Sequence, residues 1–215
     1  MATIIPPAAD PAPRVFLVDD HAPLRRALER VLCAAGHRVE SFASAREFLA
    51  SGRHEGATAC LLLDILMPEL DGLGLQAELA KLDAAIPIIF ITGNGSIEAS
   101  VRAMKAGAFD FLPKPVAAPV LLESVRCALD CALAARAARD ELAAIRALER
   151  RLTPREHEVM ELVVEGLLNK QVAGELGVSE KTVKIHRARV MEKTRARSLP
   201  DLVRFAARLG IPATP

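Results

Sequence analysis

The 215 residues exceed what one small compact domain needs and suit two, and the composition, 51% hydrophobic and 26% charged, excludes a mainly disordered chain. No apolar run approaches the roughly 20 residues of a membrane-spanning helix, so a cytoplasmic protein without membrane contact is expected. Net charge is only +1, yet the seventeen positions from Lys181 to Arg197 hold seven basic residues against Glu192 alone, which points to an anion-binding module near the C-terminus.

In chain order, MATIIPPAADPAPR is Pro/Ala-rich and lacks the basic segment and apolar core of a secretory signal. Residues 1–13 are expected to form a disordered arm. Short β-rich runs then alternate with helical patterns: VFLV (15–18), RVESF (38–42), ACLLLD (59–64), IPIIFIT (86–92) and FDFL (109–112). Between them, LRRALERVLCAAG, ASAREFLASG, LGLQAELAKL and SIEASVRAMKAGA place apolar residues at helical spacing. The spacing predicts an α/β domain over 14–118, with a doubly wound five-stranded parallel sheet. Its third and fourth strands are almost continuously apolar, as strands covered on both faces are.

Residues 119–150 read as one Ala/Leu/Arg-rich helix, a linker extending the last helix of that domain. Its stripe of Leu142, Ile145, Leu148 and Leu152 suits either pairing with a second chain or a solvated connection, because Ala and Arg fill many seam positions. Residues 151–215 are expected to be a separate all-α domain. Thr153 caps its first helix, with Pro154 in the first turn and Glu156 completing a capping box. A second helix, a turn at Gly177 and a basic helix capped by Ser179 follow, the ingredients of major-groove recognition. Val183, Val190 and His186 are expected to face inward, with His186 structural. Cys33, Cys60, Cys127 and Cys131 have no metal-ligand spacing and read as reduced thiols.

Parallel sheets gather active groups at the carboxyl ends of their strands. Asp19 and Asp20 end the first strand, Asp64 the third and Thr92 the fourth, and Lys114 follows the fifth. A lone Asp in such a place is usually a turn residue, but three carboxylates converging on one edge repel one another unless a cation intervenes. A hard ion such as Mg²⁺ suits an oxygen-only site, and Asp64 is then placed to attack a phosphoryl donor.

VDDH (18–21), LLDILMP (62–68), FITGNGS (90–96) and AMKAGAFDFLPKP (103–115) resemble the signature segments of response-regulator receiver domains, especially the FixJ-like group. The resemblance implies a flavodoxin-like fold and phosphorylation of Asp64 by a sensor histidine kinase. It implies Mg²⁺ on Asp19, Asp20, Asp64 and the carbonyl of Leu66, with Thr92 and Lys114 on the phosphoryl group. Phe111, with Thr92, becomes the conformational switch, and Lys114 precedes a cis bond to Pro115. Leu66 and Asn94 are the residues expected to govern water access to the acyl phosphate.

The segment from Leu152 to about Leu209 resembles the LuxR/NarL-type four-helix domain. That resemblance places Lys184, Ile185 and Ala188 on the groove-facing surface, and Lys170, Thr182, Arg187 and Lys193 near phosphates of double-stranded promoter DNA. Position 188 is Ala where some relatives carry a long polar residue, leaving a thymine methyl as its contact. The last helix, SLPDLVRFAARL, usually makes dimer contacts in relatives. The resulting expectation is a transcription regulator, not an enzyme, that forms a homodimer on two half-sites when phosphorylated, with RNA polymerase as a further partner. A haloacid-dehalogenase-type phosphohydrolase uses the same residue kinds but needs D-x-D after the first strand and a cap insertion, both lacking here. DNA binding independent of phosphorylation is the remaining alternative.

Overall fold

The structure is a computed structural model describing residues 12–82, 84, 86–93 and 97–212. Residues 1–11 of the expected arm, and Asn94, lie outside the described residues. The chain divides into two compact units, Met1–Arg136 and Ala137–Pro215.

The first unit follows the alternating order expected: β1 (Arg14–Val18), α1 (Ala22–Ala34), β2 (Arg38–Phe42), α2 (Ala45–Ala50), β3 (Ala59–Asp64), α3 (Gly72–Lys81), β4 (Ile88–Thr92), α4 (Ile97–Lys105), β5 (Asp110–Pro113) and the start of α5 (Ala118–Glu149). All pairings are parallel, in the order β2-β1-β3-β4-β5. The period-two alternation of each strand sorts its residues onto two cores. Phe16, Val18, Leu61, Leu63 and Phe90 join Phe48, Leu75, Leu79 and Ala103 on one face. Val15, Leu17, Cys60, Leu62, Ile89 and Ile91 join Leu28, Leu32, Leu121, Val125 and Leu129 on the other. Because helices cover both faces, all six positions of β3 are buried. Burial pushes the Cys60 thiol up to about 12, so it stays protonated.

Strand four starts at Ile88 rather than the expected 86, since Pro87 has no N–H to give a ladder. Its carbonyl still accepts from the Leu61 N–H at 2.9 Å. Local capping sets the helix starts: the Ser44 hydroxyl accepts from the Glu47 N–H, and the Asp71 carboxylate accepts from the Gly74 N–H at 2.7 Å.

Gly72 opens α3 directly beneath the end of β3. A Cβ there would sit 2.4 Å from the Asp64 carbonyl oxygen, 3.0 Å from the Ile65 Cα and 3.1 Å from the Phe90 ring. Two of the three obstacles belong to backbone that carries Asp64, so the clash cannot be relieved by a flexible side chain. Gly72→Ala is expected to destabilise the first unit by about 1–3 kcal/mol despite the better helix propensity of Ala. Urea unfolding followed by circular dichroism checks this; an unchanged midpoint would show that the strand end yields freely.

The second unit contains the tail of α5, then α6 (Pro154–Val164), α7 (Asn169–Leu176), α8 (Glu180–Thr194) and α9 (Leu199–Arg208). Thr153 and Glu156 form the expected capping box. Gly177 ends α7 at φ 64°, a left-handed conformation that a glycine adopts without strain, and Ser179 caps α8. Val159, Met160, Val163, Val172, Val183, Val190, Leu202 and Phe205 make the core. Ile145, Leu148 and Leu152 pack against it. Most of the apolar stripe read from the linker is therefore spent within this unit, and Glu141 of α5 forms an ion pair with Arg208 of α9.

Candidate functional site

Parallel pairing brings the carboxyl ends of β1, β3, β4 and β5 to one edge, where Val18 lies beside Leu63, Asp64 beside Ile91 and Thr92 beside Pro113. The Lys114 N–H donates to the Thr92 carbonyl at 2.7 Å, which returns the Lys114 side chain over that edge. Its ammonium donates to Asp19 Oδ2 at 2.9 Å and to Asp64 Oδ2 at 2.8 Å. Asp19, Asp64 and Thr92 are buried, whereas Asp20 is exposed. Burial pulls the Lys114 ammonium towards the neutral form, but hydrogen bonds and charge from Asp64 and Asp19 outweigh it and hold the pKa above its ordinary value.

One oxygen from each of Asp19, Asp20 and Asp64 lies within 4.8 Å of the others. Three hard, anionic oxygen donors beside a single ammonium leave a local surplus of negative charge, which fits a divalent cation that retains waters. Leu66 stands next to this cluster with 58% of its surface exposed, and its N–H lies 3.4 Å from Asp64 Oδ1. Phe111, half-buried, packs its ring 6.5 Å from that of Phe90, and Lys114–Pro115 is cis.

Two contacts brace Asp19, and a third lies at the opposite end of β5. The His21 N–H donates to Asp19 Oδ1 at 2.8 Å, and Arg25 Nη1 of α1 donates to the Asp19 carbonyl at 2.5 Å. The Ser124 hydroxyl of α5 donates to Asp110 Oδ2 at 2.6 Å, while Asp110 Oδ1 accepts from the Phe111 N–H at 2.8 Å. His21 stood inside the VDDH segment and was legible; Ser124 carried no local signal.

In the second unit, Lys181, Lys184, Ile185, Ala188 and Arg189 form the exposed face of α8. Ile185 is 46% exposed, an apolar side chain with no place in the core. Lys184 lies 3.2 Å from Glu180 in an exposed i,i+4 pair, worth a few tenths of a kcal/mol and easily exchanged for another anion. Lys170 is exposed near the start of α7. Arg187 Nη1 donates to Asn169 Oδ1 at 3.1 Å, and the Thr182 hydroxyl lies 2.8 Å from that of Ser179. His186 is half-buried, its Nδ1 enclosed without a hydrogen-bond partner among the described residues. Lys181 and Arg189 share this exposed face, each four residues from Ile185.

Lys193, expected near phosphates, has a partner within the unit. Its ammonium lies 2.5 Å from Glu156 Oε2, and Glu156 is buried at 1% exposure. Burial pushes the Glu156 carboxyl up, but the Lys193 ammonium and the hydrogen bonds with Thr153 outweigh it and hold the group below its ordinary 4.5. A carboxyl depressed on folding contributes stability that is present above the unfolded value and lost as pH falls through the folded one. The second unit is therefore expected to lose stability on acidification below about 4.5. Glu156→Gln should flatten that loss in thermal melts across the acid range; parallel profiles for the two proteins would contradict it.

A receiver-like sheet with an acidic, lysine-bridged edge, followed by a helix-turn-helix bundle, defines a response regulator with a DNA-binding output domain. Residues 15–126 match the response regulator receiver domain family, and residues 150–206 match the family of bacterial regulatory proteins, luxR family. Nodulation protein W of Bradyrhizobium diazoefficiens is 50% identical over 93% of this chain and 87% of its own length. The transcriptional regulatory protein FixJ of Rhizobium meliloti is 42% identical over 89% of this chain and 94% of its own length. The solved structure of the response regulator StyR is 44% identical, covering 91% of this chain and 98% of that one, with a TM-score of 0.84.

The chain belongs to the FixJ-like response regulators. These are two-component transcription regulators rather than enzymes, so a histidine kinase and DNA are the partner classes that the two domains imply. No helix among the described residues is long and apolar enough to cross a membrane.

Proposed function

We propose that Asp64 accepts a phosphoryl group from a sensor histidine kinase, and that the phosphorylated chain dimerises and binds promoter DNA. The carrying observation is the Lys114 ammonium shared between Asp19 and Asp64 at the carboxyl edge of the sheet. A carboxylate oxygen of Asp64 attacks phosphorus, an O–P bond forms as the N–P bond to the donor imidazole breaks, and the electron pair leaves with the imidazole. Asp19, Asp20, Asp64 and the Leu66 carbonyl would hold Mg²⁺, which when bound would supply positive charge to offset that on the transferring oxygens. Lys114 pairs with the new phosphoryl group, and the Thr92 hydroxyl moves to it. That movement opens space beside β4 for Phe111 to turn inward, so that phosphorylation selects one of two receiver conformations.

The domain assignment that goes with this reading is a receiver over 14–118, a helical linker over 119–150 and a DNA-binding domain over 151–215. Dimerisation is supported by the α4-β5-α5 face, where Val101, Met104 and Val120 are exposed. Val120 also lines a groove of about 470 Å³ with Phe109, Pro119 and Cys127. In the output domain, Lys184, Ile185 and Ala188 meet base edges in the major groove, and Lys170, Thr182 and Arg187 meet phosphates. Two such domains read two half-sites of a cytoplasmic promoter, where RNA polymerase is the further partner.

Light scattering with Mg²⁺ and beryllofluoride, a phosphoryl mimic, tests the assembly step. A shift from monomer to dimer mass is expected in the wild type alone and not in Asp64→Asn. Equal masses with and without the mimic would remove dimerisation from the switch.

A further inference from the structure

Glu156 Oε2 accepts from two directions. The Thr153 N–H at the start of α6 donates to it at 2.8 Å, and the Lys193 ammonium in the last turn of α8 lies 2.5 Å away. The Glu156 N–H in turn donates to the Thr153 hydroxyl at 3.3 Å. A device that ordinarily closes one helix end here also grips the recognition helix 37 residues further along the chain. The environment makes this grip strong. Glu156 is buried, the Lys193 side chain is only 27% exposed, and a buried carboxylate left without its cation is costly. By contrast Lys170, Lys181 and Arg189 are exposed.

We infer that Lys193 and Glu156 are positioning residues that fix α8 against α6 for DNA binding, and that Lys193 makes no phosphate contact of its own. The inference rests on the reading of α8 as the DNA-binding helix. Its consequence is that the charge of Lys193 matters only through Glu156. Removing both charges together then does less harm than removing the lysine alone, because no buried anion is stranded. A lysine on a phosphate behaves in the opposite way: its loss releases one fewer counterion, and no change at Glu156 restores it.

The test uses the full chain with Mg²⁺ and beryllofluoride, a fluorescein-labelled random-sequence duplex, and a series of salt concentrations. Phosphate contacts dominate binding to such a duplex, so its salt slope counts them. Lys170→Met should lower the slope by about 0.9, the value for one phosphate contact. Lys193→Met should weaken binding with the slope unchanged, and Lys193→Met with Glu156→Gln should recover affinity towards wild type. In hydrogen exchange, amides of Glu180–Thr194 should exchange faster in Lys193→Met and slow again in the double variant. A slope that falls in Lys193→Met, with no recovery in the double variant, overturns the proposal. So does α8 exchange that ignores both variants, whatever the duplex shows. An unchanged slope in Lys170→Met would instead count against the DNA reading of this face, and the exchange result would then decide the role of the pair.

Discussion

Asp64→Asn is expected to take up no phosphoryl group from a small-molecule donor in Mg²⁺, where the wild type takes up one. Asn keeps the shape of Asp and its place at the end of β3, so the sheet and its cores survive. What it loses is the anionic oxygen that attacks phosphorus and one of the three carboxylates of the acidic cluster. Asp19 is no substitute, because it is the more deeply buried of the two, at 1% exposure against 8% for Asp64. Asp20 is exposed and belongs to the loop after β1 rather than to the end of β3. Intact-mass spectrometry, with hydroxylamine to cleave the acyl phosphate, reads the result. Hydroxylamine-sensitive label in the variant would place the acceptor elsewhere.

The second large effect is expected from Lys114→Met. Its ammonium is the cation between two buried carboxylates, and methionine fills much of the same volume without charge. Removing one partner of a buried charge network commonly costs about 3 kcal/mol or more. The first unit should therefore unfold at distinctly lower urea concentration in EDTA. A divalent cation at Asp19, Asp20 and Asp64 offsets the stranded charge and binds only the folded form, so saturating Mg²⁺ should stabilise the variant more than the wild type. Phosphoryl uptake should fall in the variant even when Mg²⁺ restores its fold. A variant as stable as wild type in EDTA would mean that the lysine is not what holds the two carboxylates together.

The alternating strands of the receiver were legible because their residues obey two demands at once, period two along each strand and burial on both faces. Asp64 and Lys114 were legible for the related reason that a parallel sheet sends every strand end to one edge. Strand four was drawn too long because Ile86 and Pro87 continue its apolar run, whereas the missing N–H of Pro87 decides where the strand begins. In the linker, Ile145 and Leu148 announced a buried stripe but not its partner, which is the core of the second unit. Lys193 conceals its partner Glu156 in the same way. Its position on a basic helix suggests solvent and phosphate, and nothing local reveals a buried carboxylate on another helix. Long-range pairings of this kind arise from how helices pack, and helical periodicity reports only that a face is buried.

The most direct measurement is the affinity of the full chain for its own promoter DNA, by fluorescence anisotropy, with and without Mg²⁺ and beryllofluoride, in wild type and Asp64→Asn. Tighter binding with the mimic in wild type, and no change in the variant, is the result that phosphorylation control at Asp64 predicts. Equal affinity in all four conditions would contradict it and leave a DNA-binding protein whose acidic pocket does not govern its output.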